Sequence, residues 1–392
     1  MIKNKLINHL PIILILVIAT VLRFYRIEDN LVFHGELGHN YLAIRDAIES
    51  KQIPLVGPPT SHSWLHFGPL FYWLFIPVMH ISNYQPLGGA IFFALTGIIT
   101  VYLNYIFVSK LINRNIAIIS SLIIAISPAW ISMTRDSRFF SLVVPLIYIF
   151  LWYFIKSIRG KIIDYLVWGL ILGIILNFHL SPIILFPTIF LMFVLGVLSW
   201  KKGIVSCAGI LVPTIPLIIN DSEHGFQMLL NFAKWIPYRM AGFVGIIPKN
   251  NISSDIALIN VKSLFSFFGY QLTHDGILAT ALFTMVLIYF IVFARKKFVL
   301  ILSLLFVVIG YIGIFIHGDP PSHYFLPLMP FAVILISQAI YNFFGKYFSV
   351  IIISLIAAFN LSFYFSDKWF YLPQDQILKN VPYSMQKQIV EE

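Results

Sequence analysis

Long apolar runs separated by short polar clusters make up most of this chain, and the lengths of the runs identify them. A bilayer core takes roughly 17 to 25 apolar helical residues, fewer where a helix is packed inside a bundle or a flanking side chain reaches back to the interface. Eleven runs meet that requirement, starting near Leu10, Leu87, Ile116, Phe139, Tyr165, Leu180, Ile204, Gly276, Phe298, Tyr324 and Tyr347. The first, Leu10 to Leu22 behind Lys3 and Lys5, has the outline of a signal-peptide core. It ends in Arg23-Phe24-Tyr25-Arg26 with no small-residue cleavage site, so it predicts an uncleaved span. The pattern predicts an all-α polytopic integral membrane protein of about 11 transmembrane helices, one membrane domain over residues 1–392.

Charge orients the bundle, because Lys and Arg in short loops resist translocation. With the N-terminus inside, the cytoplasmic ends hold thirteen basic residues, from Lys3 and Lys5 to Lys346, against one acid, Asp164. The other side takes thirteen bases and fifteen acids. The same asymmetry decides Gly68 to Ile81, which is apolar enough to resemble a span. A crossing there would invert every later helix and move eleven of the thirteen bases outside, so the segment is expected to lie along the outer interface, its Tyr72 and Trp73 at headgroup level. The stretch Phe226 to Ile247, interrupted by Lys234, Pro237 and Arg239, reads the same way. Two large external segments result, 23–86 with juxtamembrane helices and 220–275. Short external turns follow around Arg135, His179 and Asp319, with an external C-terminal tail. The expected location is the plasma membrane, with the N-terminus cytoplasmic.

Composition narrows the function classes. Hydrophobic residues are 59% of the chain and charged residues 11%, against roughly 45–50% apolar in soluble domains. A net charge of +10 could suit nucleic acid, but the longest basic cluster is Arg295-Lys296-Lys297, which is no footprint for a polyanion. The single cysteine, Cys207, excludes an intramolecular disulfide and a thiolate metal cluster. No Walker loop, dinucleotide fingerprint or nucleophile elbow is present.

Candidate chemistry lies on the external side. In Phe33-His34-Gly35-Glu36-Leu37-Gly38-His39-Asn40, the two glycines permit a tight turn that leaves Glu36 at the head of a helix beginning near His39. Glu36 there is either a helix cap or a catalytic carboxylate. His39, Arg45, His62 and His66 of the same loop are candidate substrate-binding residues. Arg135 and Arg138 flank Asp136 at a turn between spans. They either offer planar forks to a phosphate or anchor the turn, with Asp136 as partner. His179 follows a span directly, where a buried, hydrogen-bonded histidine is the ordinary reading. All the histidines except His9 fall outside, which raises a metal site, but His34, Glu36 and His39 lack helical His-Glu-x-x-His spacing. No metal ligands are assigned and no cofactor is required. A divalent cation on Glu36 is the form a metal would take.

With these residues placed, the chain resembles the GT-C class of membrane glycosyltransferases, near the protein O-mannosyltransferase and aminoarabinose transferase group. The resemblance rests on Gly35-Glu36-Leu37-Gly38-His39-Asn40, on Pro54-Leu55-Val56-Gly57-Pro58-Pro59-Thr60-Ser61, and on Gly68-Pro69-Leu70-Phe71-Tyr72-Trp73. Ser127-Pro128 through Arg135, Asn177-Phe178-His179, and His323-Tyr324-Phe325-Leu326-Pro327 extend it. Many relatives carry Asp where this chain has Glu36, and the extra methylene moves the carboxylate by about 1 Å, a distance that matters to rate.

The resemblance implies inverting transfer of a sugar from a polyprenyl-phosphate donor to a lipid, protein or glycan acceptor. In that reading Glu36 is the base or orienter of the incoming hydroxyl. Arg135 and Arg138, with His179 and His323 as further donors, hold the departing phosphate. The rivals are a lipid or glycan flippase and an inactive relative in envelope assembly. Transporters place charged groups near the bilayer midplane, whereas polar residues here concentrate in one outer layer.

Overall fold

The structure is a computed structural model that describes residues 2–29, 31, 33–135, 138–243, 246, 258–259, 269, 271–293, 297–315, 321–365, 383 and 386–388. Among these, the regular secondary structure is helical, with one isolated bridge between Pro59 and His66. A helix occupies each of the apolar runs: α1 (Ile2–Phe24), α4 (Pro86–Leu111), α5 (Arg114–Ile126), α7 (Val143–Ile158), α8 (Ile162–Phe178), α9 (Phe186–Val194), α10 (Trp200–Leu211), α13 (Gly276–Phe293), α14 (Phe298–Phe315) and α15 (Met329–Tyr364). The runs near Tyr324 and Tyr347 share α15, which breaks at Gly345 (φ 68°, ψ −177°). At 1.5 Å per residue an unbroken α15 would far exceed a bilayer core, and the break divides it where the sequence divides the two spans. Shorter helices lie between: α2 (Gly35–Ser50), α3 (Leu70–Ile81), α6 (Pro128–Met133), α11 (Ile215–Glu223) and α12 (Gln227–Phe243).

Two expectations change. Helix α2 begins at Gly35, not near His39, because Gly35 and Gly38 are ordinary helical residues and neither adopts positive φ. The interrupted stretch after Phe226 is one helix, α12, continuous across Pro237. Helix α3 has 12 residues, about 18 Å, well short of a bilayer core. The turn around Asp319, the acid Asp136, the pair Arg295-Lys296 and the sequon-like Asn251-Ile252-Ser253 lie outside the described residues.

Helix pairing in the bundle uses small residues and backbone contacts rather than a water-driven core, as expected in lipid. Helices α8 and α10 approach so closely that a Cβ on Gly169 would lie 2.0 Å from the Ser206 carbonyl oxygen, and one on Gly173 2.4 Å from that of Ile210. Asn104 of α4 donates to the hydroxyls of Ser120 and Ser121 on α5 at 2.8 and 2.9 Å. Phe348, Ile351, Leu355 and Phe359 of α15 stay exposed, as lipid-facing positions do.

Arg23, near the end of α1, is fully buried. Its guanidinium donates to the carbonyls of Ala19, Ala125 and Ile124 and to the Thr134 hydroxyl, at 3.1 to 3.3 Å. The Ser127-Pro128 pair explains the acceptors. Pro128 has no N–H to give Ile124, so α5 ends there and leaves carbonyls open for the arginine.

Candidate active site

Four segments that carry candidate residues meet at the end of the bundle where α8 ends. The first is a hairpin over residues 57–67. The Gly57 N–H donates to the Phe67 carbonyl at 2.8 Å, Phe67 to Pro58 at 3.0 Å and Thr60 to Leu65 at 2.9 Å. Gly57 sits where a side chain cannot: a Cβ there would lie 2.1 Å from the Gly68 carbonyl oxygen. That close approach explains the Gly57-Pro58-Pro59 and Gly68-Pro69 motifs, which together close the base of the hairpin.

Phe67, just inside that base, packs against the turn after α8 and the start of α7. Its ring lies 5.3 Å from Phe139 and 5.3 Å from His179. His179 lies 5.1 Å from His323 and 5.4 Å from Tyr324, and His323 stacks on Phe140 at 4.4 Å and 14°. The structure therefore brings together His179, His323 and the segment that starts at Arg138. His179 is buried, and desolvation pushes its pKa down to about 3. The Ser181 backbone N–H donates to Nδ1 at 3.0 Å, with the Ser181 hydroxyl 2.8 Å away, which assigns the remaining proton to Nε2. His179 can thus donate a hydrogen bond, but at neutral pH it contributes no charge.

Arg135 and Arg138 differ in burial. Arg135 is buried, donates to the carbonyls of Leu22 and Tyr25 at 2.7 and 2.8 Å, and lies 4.8 Å from the Tyr364 ring centre. Tyr364 in turn donates to Leu22. Burial and the neighbouring Arg23 lower the Arg135 pKa to about 9, so it stays charged at neutral pH, clamping the end of α1. Arg138 is half-buried at the head of the turn that leads to Phe139 and Phe140.

Glu36 occupies the first turn of α2, exposed. Among the described residues its carboxylate makes no hydrogen bond or ion pair, and α2 has no side-chain cap. The buried face of α2 links it to the histidines through α3: Tyr72 donates to Asn40 at 3.0 Å, and Phe71 lies 5.4 Å from Phe139. From the far side, the backbone N–H of Tyr383 reaches Leu31 at 3.3 Å and the Gln386 amide reaches Phe33 at 3.2 Å.

The remaining candidates divide. Arg45 is exposed and pairs along its own helix with Glu49 at 3.6 Å, and His66 Nδ1 lies 3.2 Å from the Gly57 carbonyl, inside the hairpin. His39 is exposed on α2. His62, at the hairpin tip, stacks on Trp64 at 5.5 Å and meets Trp235 of α12 edge-on at 5.6 Å. Among the described residues no three His, Cys, Asp or Glu side chains converge as metal ligands. Sequence reasoning missed Arg23, Phe67, Tyr324 and Trp235. Of these Arg23 carried a signal, as a charge at the end of an apolar span, and Tyr324 lay inside the His323 motif.

Residues 66–219 match the dolichyl-phosphate-mannose-protein mannosyltransferase family. The fold is similar to that of ArnT from Cupriavidus metallidurans bound to undecaprenyl phosphate, with TM-score 0.62 and 14% identity over 88% of this chain and 63% of that one. The same enzyme in its apo state gives 0.58 and 15%, again over 88% and 63%. An Archaeoglobus fulgidus oligosaccharyltransferase, in complex with Zn and sulfate, gives 0.51 and 16% over 93% of this chain and 52% of that one. The chain spans just under two thirds of the length of ArnT. A comparison with curated protein sequences gives no match.

Proposed function

We propose that this chain, a multi-pass membrane protein of the GT-C fold with mannosyltransferase-family sequence over 66–219, is a glycosyltransferase. In this reading it moves a sugar from a polyprenyl-phosphate donor to an acceptor hydroxyl at the external face of the membrane. The observation that carries the reading is Glu36. Glu36 is exposed in the first turn of α2, has no ion pair among the described residues, and sits on the helix that packs through Tyr72 and α3 toward Phe139 and the histidines.

An inverting displacement needs three things here. The acceptor hydroxyl must be oriented and relieved of its proton as it attacks the anomeric carbon, and Glu36 does this. The phosphate must leave from the opposite face with its charge met. Arg138 supplies a cation, and the ring N–H groups of His179 and His323 supply hydrogen bonds. Water must be kept from the anomeric carbon, and the aromatic wall of Phe67, Phe139 and Phe140 excludes it. Arg135 passes from the phosphate role to a positioning role, since its guanidinium holds the end of α1. Undecaprenyl phosphate bound to ArnT supports a polyprenyl phosphate as the leaving group.

The test uses membranes supplied with radiolabelled polyprenyl-phosphate sugars. The wild-type protein transfers label, and Glu36→Gln reduces transfer at least a hundredfold with membrane insertion unchanged. Glu36→Asp retains part of it. Undiminished turnover in Glu36→Gln sinks the assignment.

A further inference from the structure

The face of α12 that meets the hairpin carries Phe232, Trp235 and Arg239, three and four residues apart and so on one side of the helix. Trp235 stacks on Phe232 at 5.9 Å and 23°, and the Arg239 guanidinium lies 5.4 Å from the Trp235 ring centre. His62 completes the contact, flat on Trp64 at 21° and steep against Trp235 at 69°. The result is a corner with aromatic walls and two polar groups, His62 and Arg239, on its rim. Its position is held: Asp221 is buried and accepts from the backbone N–H groups of Met228 and Leu229 at 2.8 and 2.9 Å, capping α12. The corner connects to the histidine pair through the hairpin, whose Phe67 lies 5.3 Å from His179.

The chemistry of the corner selects its ligand. A tryptophan that only anchors the chain at headgroup level needs no packed partners, whereas these indoles are held against Phe232 and His62 with a guanidinium alongside. Among the described residues Arg239 has no carboxylate partner. A sugar ring fits both the walls and the rim. Its C–H face carries slight positive charge and lies on the negative face of an aromatic ring, while its rim of hydroxyls seeks donors and acceptors. The transferred sugar must sit between Glu36 and the phosphate-holding groups, and none of those residues lines this corner. We propose that the corner of His62, Trp64, Trp235 and Arg239 is a subsite for the acceptor, and that the acceptor presents a saccharide ring to it. The proposal rests on the glycosyltransferase reading for its choice of acceptor over donor.

The experiment presents the full chain, in lipid nanodiscs free of glycolipid, to a printed array of several hundred glycans. Retention on a group of glycans sharing a terminal saccharide is expected, at least tenfold above empty nanodiscs. Trp64→Ala with Trp235→Ala abolishes it, Arg239→Gln reduces it several-fold, and Trp64→Phe with Trp235→Tyr keeps it, which separates loss of the walls from loss of the fold. No retention of any glycan, or retention unchanged in the double alanine variant, overturns the proposal. A second measurement asks what the rings face. The fluorescence lost in Trp64→Phe with Trp235→Phe, relative to wild type, is quenchable by aqueous acrylamide and insensitive to lipids brominated along the acyl chain. Strong quenching by the brominated lipids puts the corner in hydrocarbon and overturns the proposal. Because the array reads binding and not turnover, its failure leaves the Glu36→Gln test standing. Loss of transfer in Glu36→Gln with array binding intact keeps the two readings apart.

Discussion

His179 is a histidine whose environment denies it a charge, and that makes it separable by pH. Folded, it stays neutral down to about pH 3; unfolded, it takes a proton near 6.5. Between those values the unfolded chain binds the extra proton, so the stability contributed here is complete above about pH 6.5 and is lost as pH falls toward 3. The slope is at most about 1.4 kcal/mol per pH unit. Thermal unfolding in detergent between pH 7 and pH 5 should therefore fall more steeply for the wild-type protein than for His179→Gln. Parallel curves would place the histidine in contact with water. The sequence identified this residue and its neighbour His323 as chemistry near the membrane surface but not their pairing, because ring contacts between segments 144 positions apart leave no local pattern. Arg135 and Arg138 show the same gap. Spacing made them equivalent forks, and only tertiary packing turned one toward the carbonyls of α1.

At the scale of elements, two glycines of segment 23–86 that look alike in sequence have opposite surroundings. Around Gly35 a Cβ would meet nothing within 4 Å, whereas at Gly57 it would collide with the backbone of Gly68. Gly35→Ala is expected to be neutral or to stabilise α2 by about 0.5–1 kcal/mol. Gly57→Ala should cost about 1–3 kcal/mol, by forcing open the base of the hairpin, and should lower sugar transfer with it. Unfolding midpoints of the two variants, measured side by side, check both statements; a stable, active Gly57→Ala protein would mean that Gly68 yields. Helix positions were legible because a 20-residue apolar run admits one solution in lipid. Starts and breaks were less so. Gly35 opens α2 and Pro237 lies inside α12, positions that local propensity alone would assign to a turn and a break.

For the molecule as a whole, the charge asymmetry predicts that the loop after α7 and the loop carrying Glu36 lie on opposite sides of the membrane. In a Cys207→Ser background, Glu49→Cys should react with a membrane-impermeant maleimide in intact cells, and Arg159→Cys only after permeabilisation. Both positions are exposed, so access to reagent reports the side of the membrane and not burial. Labelling of both from outside would overturn the orientation. The same architecture has a consequence for how the protein is made. Arg23 lies at the end of α1, but its partners, Ile124, Ala125 and Thr134, are translated a hundred or more residues later. Until they emerge, the nascent chain holds a charged side chain at the lip of the bilayer with only its own helix to answer it. The first helix is therefore expected to settle at its final depth only once α5 has delivered its open carbonyls to Arg23.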